Sequence, residues 1–412
     1  MIEMLRKHAE HIARSAIAAV LPDVAVKEAL TGVEFPGRVF VVAVGKAAWQ
    51  MANSAVACMS DKVTDGIVIT KYHHVQEQIS GMKCMEAGHP VPDENSFRAT
   101  AEAIDLVKDL TEQDTVLFLL SGGGSALFER PVIEQEELQE ITNQLLACGA
   151  DIVEINTIRK RLSYVKGGRF AKLCEPAHVF AIVLSDIIGD ALDMIASGPV
   201  TPDSSTCEDA LRIVEKYGLR LSEKARLFLE IETPESVTNV TVQITGSVKQ
   251  LCAAAAVQAT MLGYEPIILT DRMNCQAKEA GSFLASILKT HEDTKKPLAF
   301  IAGGETVVKL TGKGKGGRNQ ELALAAAAGL EGVNNAAIIS VGSDGTDGPT
   351  DAAGGYTDGD TVAALRKAGM SVYQALADND AYHALRAADG LIITGPTGTN
   401  VNDVTVGLIL PK

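Results

Sequence analysis

The chain has 412 residues, 46% hydrophobic, 22% charged and 4% aromatic, and its 52 acidic against 37 basic side chains leave a net charge of −15. This is a globular composition with length for about two domains of roughly 100–200 residues. The acidic balance argues against a nucleic-acid partner, because counterion release needs a basic surface. A small anionic substrate needs only a local cationic pocket.

The N-terminus mixes Glu3, Arg6, Lys7, Glu10 and Arg14 through an amphipathic first helix and does not read as a signal peptide. No apolar run approaches the ~20 residues that cross a bilayer, so no membrane association is expected. Short aliphatic runs then alternate with helical patterns: RVFVVAV (38–44), a helix over 46–59, GIVIT (66–70), a helix over 94–109, TVLFLL (115–120), a helix over 133–148, and HVFAIVLS (178–185). Strands apolar on both faces and separated by helices predict a doubly wound, mostly parallel α/β sheet. The polar stretch IETPESVTNV (231–240) is the best linker, giving an N-terminal domain over 1–235 and a C-terminal domain over 241–412. Beyond it come VTVQIT, an Ala-rich helix Ser247–Leu262, EPIILT, another helix, LAFIAGG, TVVKLT, AAIISVG, LIIT and TVGLIL, whose polar alternation suggests a mixed sheet. The seven cysteines (58, 84, 148, 174, 207, 252, 275) are odd in number and lack a C-x-x-C pair, which reads as free thiols in a reducing cytoplasm.

Chemistry is expected where glycines follow strands. Ser121-Gly122-Gly123-Gly124-Ser125 follows TVLFLL, and its backbone can approach an anion closely. Lys46 follows Gly45 at the end of RVFVVAV, without the Walker A pattern. The segment Asn156–Arg169 gathers Arg159, Lys160, Arg161, Lys166 and Arg169 in an acidic chain, a candidate collar around phosphate or carboxylate oxygens. Asp186 and Asp190 stand after HVFAIVLS, where a carboxylate can hold Mg²⁺ or take a hydroxyl proton. Asp344, Asp347 and Asp351 populate a glycine-rich loop that lacks EF-hand spacing but suits a metal or phosphate. Gly312-Lys313-Gly314-Lys315-Gly316-Gly317 satisfies G-x-G-x-x-G, yet Lys309 interrupts the preceding run. Lys313, Lys315 and Arg318 crowd the loop, so a phosphate clamp fits better than a dinucleotide site.

Taken together, LSGGGSAL, INTIRKRLSYVKGGR, LSDIIGD, SGPVTPD, GGETVV, KGGRNQE, VGSDGTDGPTDAAGG and GPTGTNVNDV resemble, in order and over essentially the whole chain, the glycerate 2-kinase family with its MOFRL domain, often labelled hydroxypyruvate reductase. The resemblance implies a Rossmann-like N-terminal domain, a smaller C-terminal α/β domain, and an active site in the cleft between them. It implies ATP and Mg²⁺ as cofactors, D-glycerate as the small-molecule substrate and 2-phosphoglycerate as product. It also makes Lys46 and Arg318 the residues corresponding to proposed key active-site groups, and it is compatible with a homodimer.

On that footing Lys46, Arg318 and Asp186 are the expected catalytic groups. Ser121, Gly122, Gly123, Gly124, Ser125, Lys313, Lys315, Gly316 and Gly317 would hold ATP, Arg159, Lys166 and Asn156 would hold glycerate, and Asp190, Asp344 and Asp347 would bind metal. The alternative is a nicotinamide-dependent hydroxypyruvate reductase, motivated by the G-x-G-x-x-G string. A serine hydrolase reading fails because Leu127 breaks G-x-S-x-G after Ser125.

Overall fold

The computed structural model describes all residues, Met1–Lys412. Two compact units emerge, one formed by residues 25–245 and the other by residues 1–24 together with 246–412. No helix is long and apolar enough to cross a membrane.

The first unit is built on a six-stranded sheet. Its strands are β1 (Val39–Val44), β2 (Val63–Lys71), β3 (Lys83–Ala87), β4 (Thr115–Leu120), β5 (His178–Leu184) and β6 (Val240–Gly246), in the order β3-β2-β1-β4-β5-β6. All the pairings from β3 through β5 are parallel and in continuous register apart from one irregularity at Val39/Phe40. This is the doubly wound order whose carboxyl strand ends bind ligands. β1 and β4 are buried along their whole length. Phe40, Val42 and Phe118 face one hydrophobic cluster while Val41, Ala43 and Leu117 face another, as a sheet covered on both sides requires. β3 was not expected, because Lys83 and Glu86 interrupt its apolar pattern.

The second unit carries β7 (Glu265–Met273), β8 (Leu298–Gly304), β9 (Ala336–Gly342), β10 (Gly354–Asp358), β11 (Leu391–Ile392) and β12 (Asp403–Ile409), in the order β11-β10-β9-β12-β8-β7. β7 pairs with β8 in parallel and the other pairings are antiparallel, so the sheet is mixed. TVVKLT is not a strand: only Val307 bridges, to Gln276, and the polar Lys309 finds no place in a ladder. LIIT shrinks to the two residues of β11.

The two compact units differ from the expected domains at both edges. The first helix, Ile2–Ala18, does not belong with residues 25–245. Its stripe Leu5, Ala9, Ile12 and Ala16, at spacings of four, three and four, is fully buried in the second unit's core with Ile339, Val404 and Val406. At the other edge, residues 231–240 are not a free linker. Glu232 takes an ion pair from Arg161 at 3.1 Å and Thr233 donates to Asp203 at 3.1 Å, which ties the segment down before β6 completes the first sheet.

Because this helix completes the second unit's core, Ile12→Ala should destabilise that unit by about 2–5 kcal/mol. Trp49, the only tryptophan, lies in the other unit. The loss should therefore be larger in guanidinium unfolding followed by circular dichroism than in unfolding followed by Trp49 fluorescence.

Candidate active site

In the first unit the carboxyl ends of β1 and β4 approach each other more closely than side chains would allow. A Cβ at Gly45 (φ 121°) would stand 2.3 Å from Ser121 Oγ. Ser121 N–H donates to the Val44 carbonyl at 2.9 Å, Lys46 N–H to the Gly122 carbonyl at 2.9 Å, and Ala47 N–H to Ser121 Oγ at 3.1 Å. Ser121 is buried and braces the two strands from within, so it is not the nucleotide contact expected from its place in the loop.

The following glycines are hemmed in by neighbouring side chains. A Cβ on Gly122 would stand 2.2 Å from an Asp186 carboxylate oxygen. One on Gly123 (φ 89°) would stand 3.1 Å from His89 Nε2 and 3.3 Å from Lys46 Cγ, and one on Gly124 would stand 2.6 Å from Ala196 Cβ. The structure thus gathers Lys46, Asp186 and the triple glycine. It adds His89, which sequence reasoning missed because the strand before it, β3, was itself missed. Burial, followed by the charges of Lys46, Lys71 and His74, lowers the His89 pKa below its usual value.

The cationic run does not form an open collar. Lys160 pairs with Asp193 and Asp203, Arg161 with Asp203 and Glu232, and Arg169 donates to the carbonyls of Arg161 and Ser163. Lys166 is fully buried; its Nζ reaches Glu129 at 3.2 Å and donates to the Ser125 and Phe128 carbonyls at 2.9 Å each. Burial pushes its pKa down to about 8, against the pull of Glu129. Asn156 accepts from Ser197 Oγ at 3.0 Å, and Ser197 Oγ lies 3.2 Å from Ser125 Oγ. Lys166 and Asn156 therefore grip the Ser125 end of the loop from behind and are not placed to touch a substrate. Arg159, partly exposed, donates to the Ser125 carbonyl at 3.0 Å and lies 3.5 Å from Glu129. Asp190, at φ 54°, keeps Oδ1 buried without a hydrogen-bond partner.

In the second unit Arg318 opens the helix Arg318–Leu330 and is locked by carboxylates. Its Nε and Nη2 donate to both oxygens of Asp403 at 2.6 and 3.0 Å, and Nη1 donates to Glu305 at 2.7 Å. Burial opposes its charge, but Asp403 and then Glu305 hold the pKa above the ordinary arginine value. Three of the five guanidinium N–H groups are thus engaged, leaving two for an anion.

Asp347 accepts from the backbone N–H groups of Asn319 at 3.1 Å and Gln320 at 2.9 Å, and from the Gln320 amide at 3.0 Å. It fills the helix N-terminus that a phosphate would otherwise use, and it is not free to bind metal. Burial raises its pKa to about 6 in spite of those donors. Asp344 is less enclosed. Its Oδ1 accepts from Thr346 N–H at 2.9 Å, and it approaches within 3.2 Å of where a Gly342 Cβ would stand, as Asp403 does within 3.4 Å.

The G-x-G-x-x-G string is likewise consumed internally. The N–H groups of Gly312, Lys313, Gly314 and Lys315 donate to Asn379 Oδ1, Asp378 Oδ1, the Asp378 carbonyl and Asp380 Oδ1 at 2.8–3.0 Å. Lys315 Nζ sits 4.5 Å from the centre of the Tyr382 ring. A Cβ on Gly317 would fall 2.3 Å from Asp347 Cγ, and one on Gly316 3.3 Å from Ala381 Cβ. These glycines permit close packing of protein on protein, and the loop does not present a row of free amides to a nucleotide.

The fold and these strand-end loops define an enzyme class built from a Rossmann-ordered unit and a second α/β unit with a mixed sheet. Residues 8–230 match the model described as a domain of unknown function (DUF4147), and residues 298–403 match the MOFRL family. The D-glycerate 2-kinase of Thermotoga maritima is 52% identical over 99% of both chains. The glycerate 2-kinase of Pyrococcus horikoshii is 42% identical over 92% of this chain and 89% of its own. The crystal structure of the T. maritima glycerate kinase superposes with a TM-score of 0.96 at 51% identity, covering 99% of this chain and all of that one. This chain belongs to the glycerate 2-kinase family.

A carboxyl whose pKa is raised on folding binds its proton more tightly in the native state, so Asp347 contributes stability at low pH that is lost as pH rises from about 4 to about 6. Carboxyl-carbon NMR should show Asp347 titrating near 6. The stability of Asp347→Asn should lack this downward slope across the same window, whatever it loses overall as a helix cap.

Proposed function

We propose that this chain transfers the γ-phosphoryl group of ATP to D-glycerate, forming 2-phosphoglycerate and ADP. The observation that carries the reading is the 52% identity to a D-glycerate 2-kinase over 99% of both chains. The same identity favours the kinase over the nicotinamide-dependent reductase. The occupied amides of the Gly312–Gly317 loop count in the same direction, because a dinucleotide pyrophosphate would need them free.

Phosphoryl transfer requires positioning and the spreading of charge over the moving group, with little covalent chemistry by the protein. We assign Lys46 and Arg318 to that charge, the Gly122–Gly124 backbone to phosphate oxygens, and Arg159 to the glycerate carboxylate. Carboxylates hold Arg318 in a fixed orientation, so its remaining donors are already aimed before substrate arrives. Mg²⁺ prefers one or two carboxylates plus phosphate oxygens to a full protein cage. Asp344 fits that limited role, since its carboxylate is only partly enclosed, whereas Asp347 is saturated. The ion would supply neutralising charge to the phosphates.

Incubation with ATP, Mg²⁺ and D-glycerate, read by phosphorus NMR, should give 2-phosphoglycerate and not the 3-isomer. NADH absorbance with hydroxypyruvate should stay flat. Formation of 3-phosphoglycerate would overturn the regiochemistry, and NADH consumption the kinase reading itself.

Lys46→Ala should lower kcat at least about 100-fold with an unchanged melting temperature. Arg318→Ala should lose about 10³–10⁵ in turnover and also destabilise the second unit by about 3–5 kcal/mol, because Asp403 is left as an uncompensated buried charge. Arg318→Lys should retain more of the stability than of the activity, since a point charge cannot reproduce the bidentate fork.

A further inference from the structure

The side chains around the triple glycine include one whose chemistry the reading above leaves unused. His89 follows β3 at the carboxyl edge of the first sheet, and its turn is held from beneath. Asp93 caps the helix Glu94–Val107, accepts from Ser96 N–H at 3.0 Å and from Tyr72 Oη at 2.5 Å, and packs so closely that a Cβ on Gly88 would stand 2.9 Å from its carboxyl carbon. From this fixed turn the imidazole lies over Gly123, beside the Lys46 stem. The neighbouring His74 is committed, with Nδ1 3.0 Å from the Lys46 carbonyl. His89 shows no such commitment to a protein group.

We propose that His89 is the proton acceptor for the glycerate hydroxyl that attacks the γ-phosphorus. The assignment rests on the kinase reading and extends it. As the hydroxyl oxygen forms its bond to phosphorus, the bond from phosphorus to the β–γ bridging oxygen breaks and its electron pair leaves with ADP. The hydroxyl proton passes to the imidazole of His89 and then to solvent. A base in this position must be uncharged at the working pH and must lie against the phosphate-binding backbone. Proximity to Gly123 meets the second condition. The surroundings meet the first, because burial and the charges of Lys46, Lys71 and His74 all disfavour the imidazolium. Asp186, against the adjacent Gly122, and Asp93, against Gly88, are the nearby carboxylates whose charge would favour it.

The test compares the 412-residue chain with its His89→Gln and His89→Asn variants. Each variant should keep the wild-type melting temperature and KM values for ATP and D-glycerate within about threefold, while kcat falls by about 10²–10⁴. In the wild type kcat should decline below a midpoint under 6.5, and this acid limb should vanish in the variants. Independently of turnover, the His89 ring-proton NMR signal should titrate below 6.5 and shift when D-glycerate is added.

A variant kcat within about threefold of wild type, an acid limb that persists in His89→Gln but vanishes in Asp186→Asn, or a ring signal unmoved by D-glycerate would each overturn the assignment. Failure of the wild type itself to phosphorylate D-glycerate would instead strike the kinase reading, and the ring signal would still report whether glycerate reaches His89.

Discussion

The approach of β1 to the loop after β4 governs the rest of the first unit's site. Gly45 has no room for even a methyl group beside Ser121, and the hydrogen bonds from Ser121, Lys46 and Ala47 hold the two backbones together at that distance. With those strand ends joined, the Lys46 stem lies along Gly123, and the absence of side chains on Gly122 and Gly123 makes room for Asp186 and His89. The surroundings of this loop are therefore shaped mainly by missing atoms. The charges around it are arranged by backbone geometry.

Buried ion pairs support this arrangement from outside. Glu129, Asp203 and Asp403 are almost wholly enclosed, and each is matched to arginine or lysine. Such pairs contribute little net stability compared with apolar packing, but losing one partner is costly, and the geometry they impose is narrow. Around Ser125 the effect is specific: Arg159 and Lys166 both donate to its carbonyl, so the end of the triple-glycine loop cannot drift. Arg318 is held in the same way by Asp403 and Glu305.

Two glycine-rich loops that look alike in sequence serve opposite ends. At 122–124 the glycines face Asp186, His89, Lys46 and Ala196. At 312–317 they face the chain's own Asp378–Asp380 segment, which takes up the amides that a nucleotide would need. Asp347 makes the same point for carboxylates, since it resembles a metal ligand in sequence and is a helix cap in space.

The alternation of strands and helices, the mixed character of the second sheet, and the importance of glycines after β1 and β4 were legible in the amino-acid order, because periodicity and turn chemistry are local properties. The grouping of Lys46 with the Gly122–Gly124 loop was legible for the same reason, since both sit at carboxyl ends of apolar strands. Partnership across long sequence distances was not legible. The first helix belongs to the second unit because its stripe completes a core begun after residue 246. The cations of 159–169 are mostly structural because Asp193, Asp203 and Glu232 come back to meet them. His89 reaches the Gly122–Gly124 loop just past a strand that its own residues barely announce. Burial and long-range pairing decide which charges remain available for chemistry, and tertiary structure alone sets both.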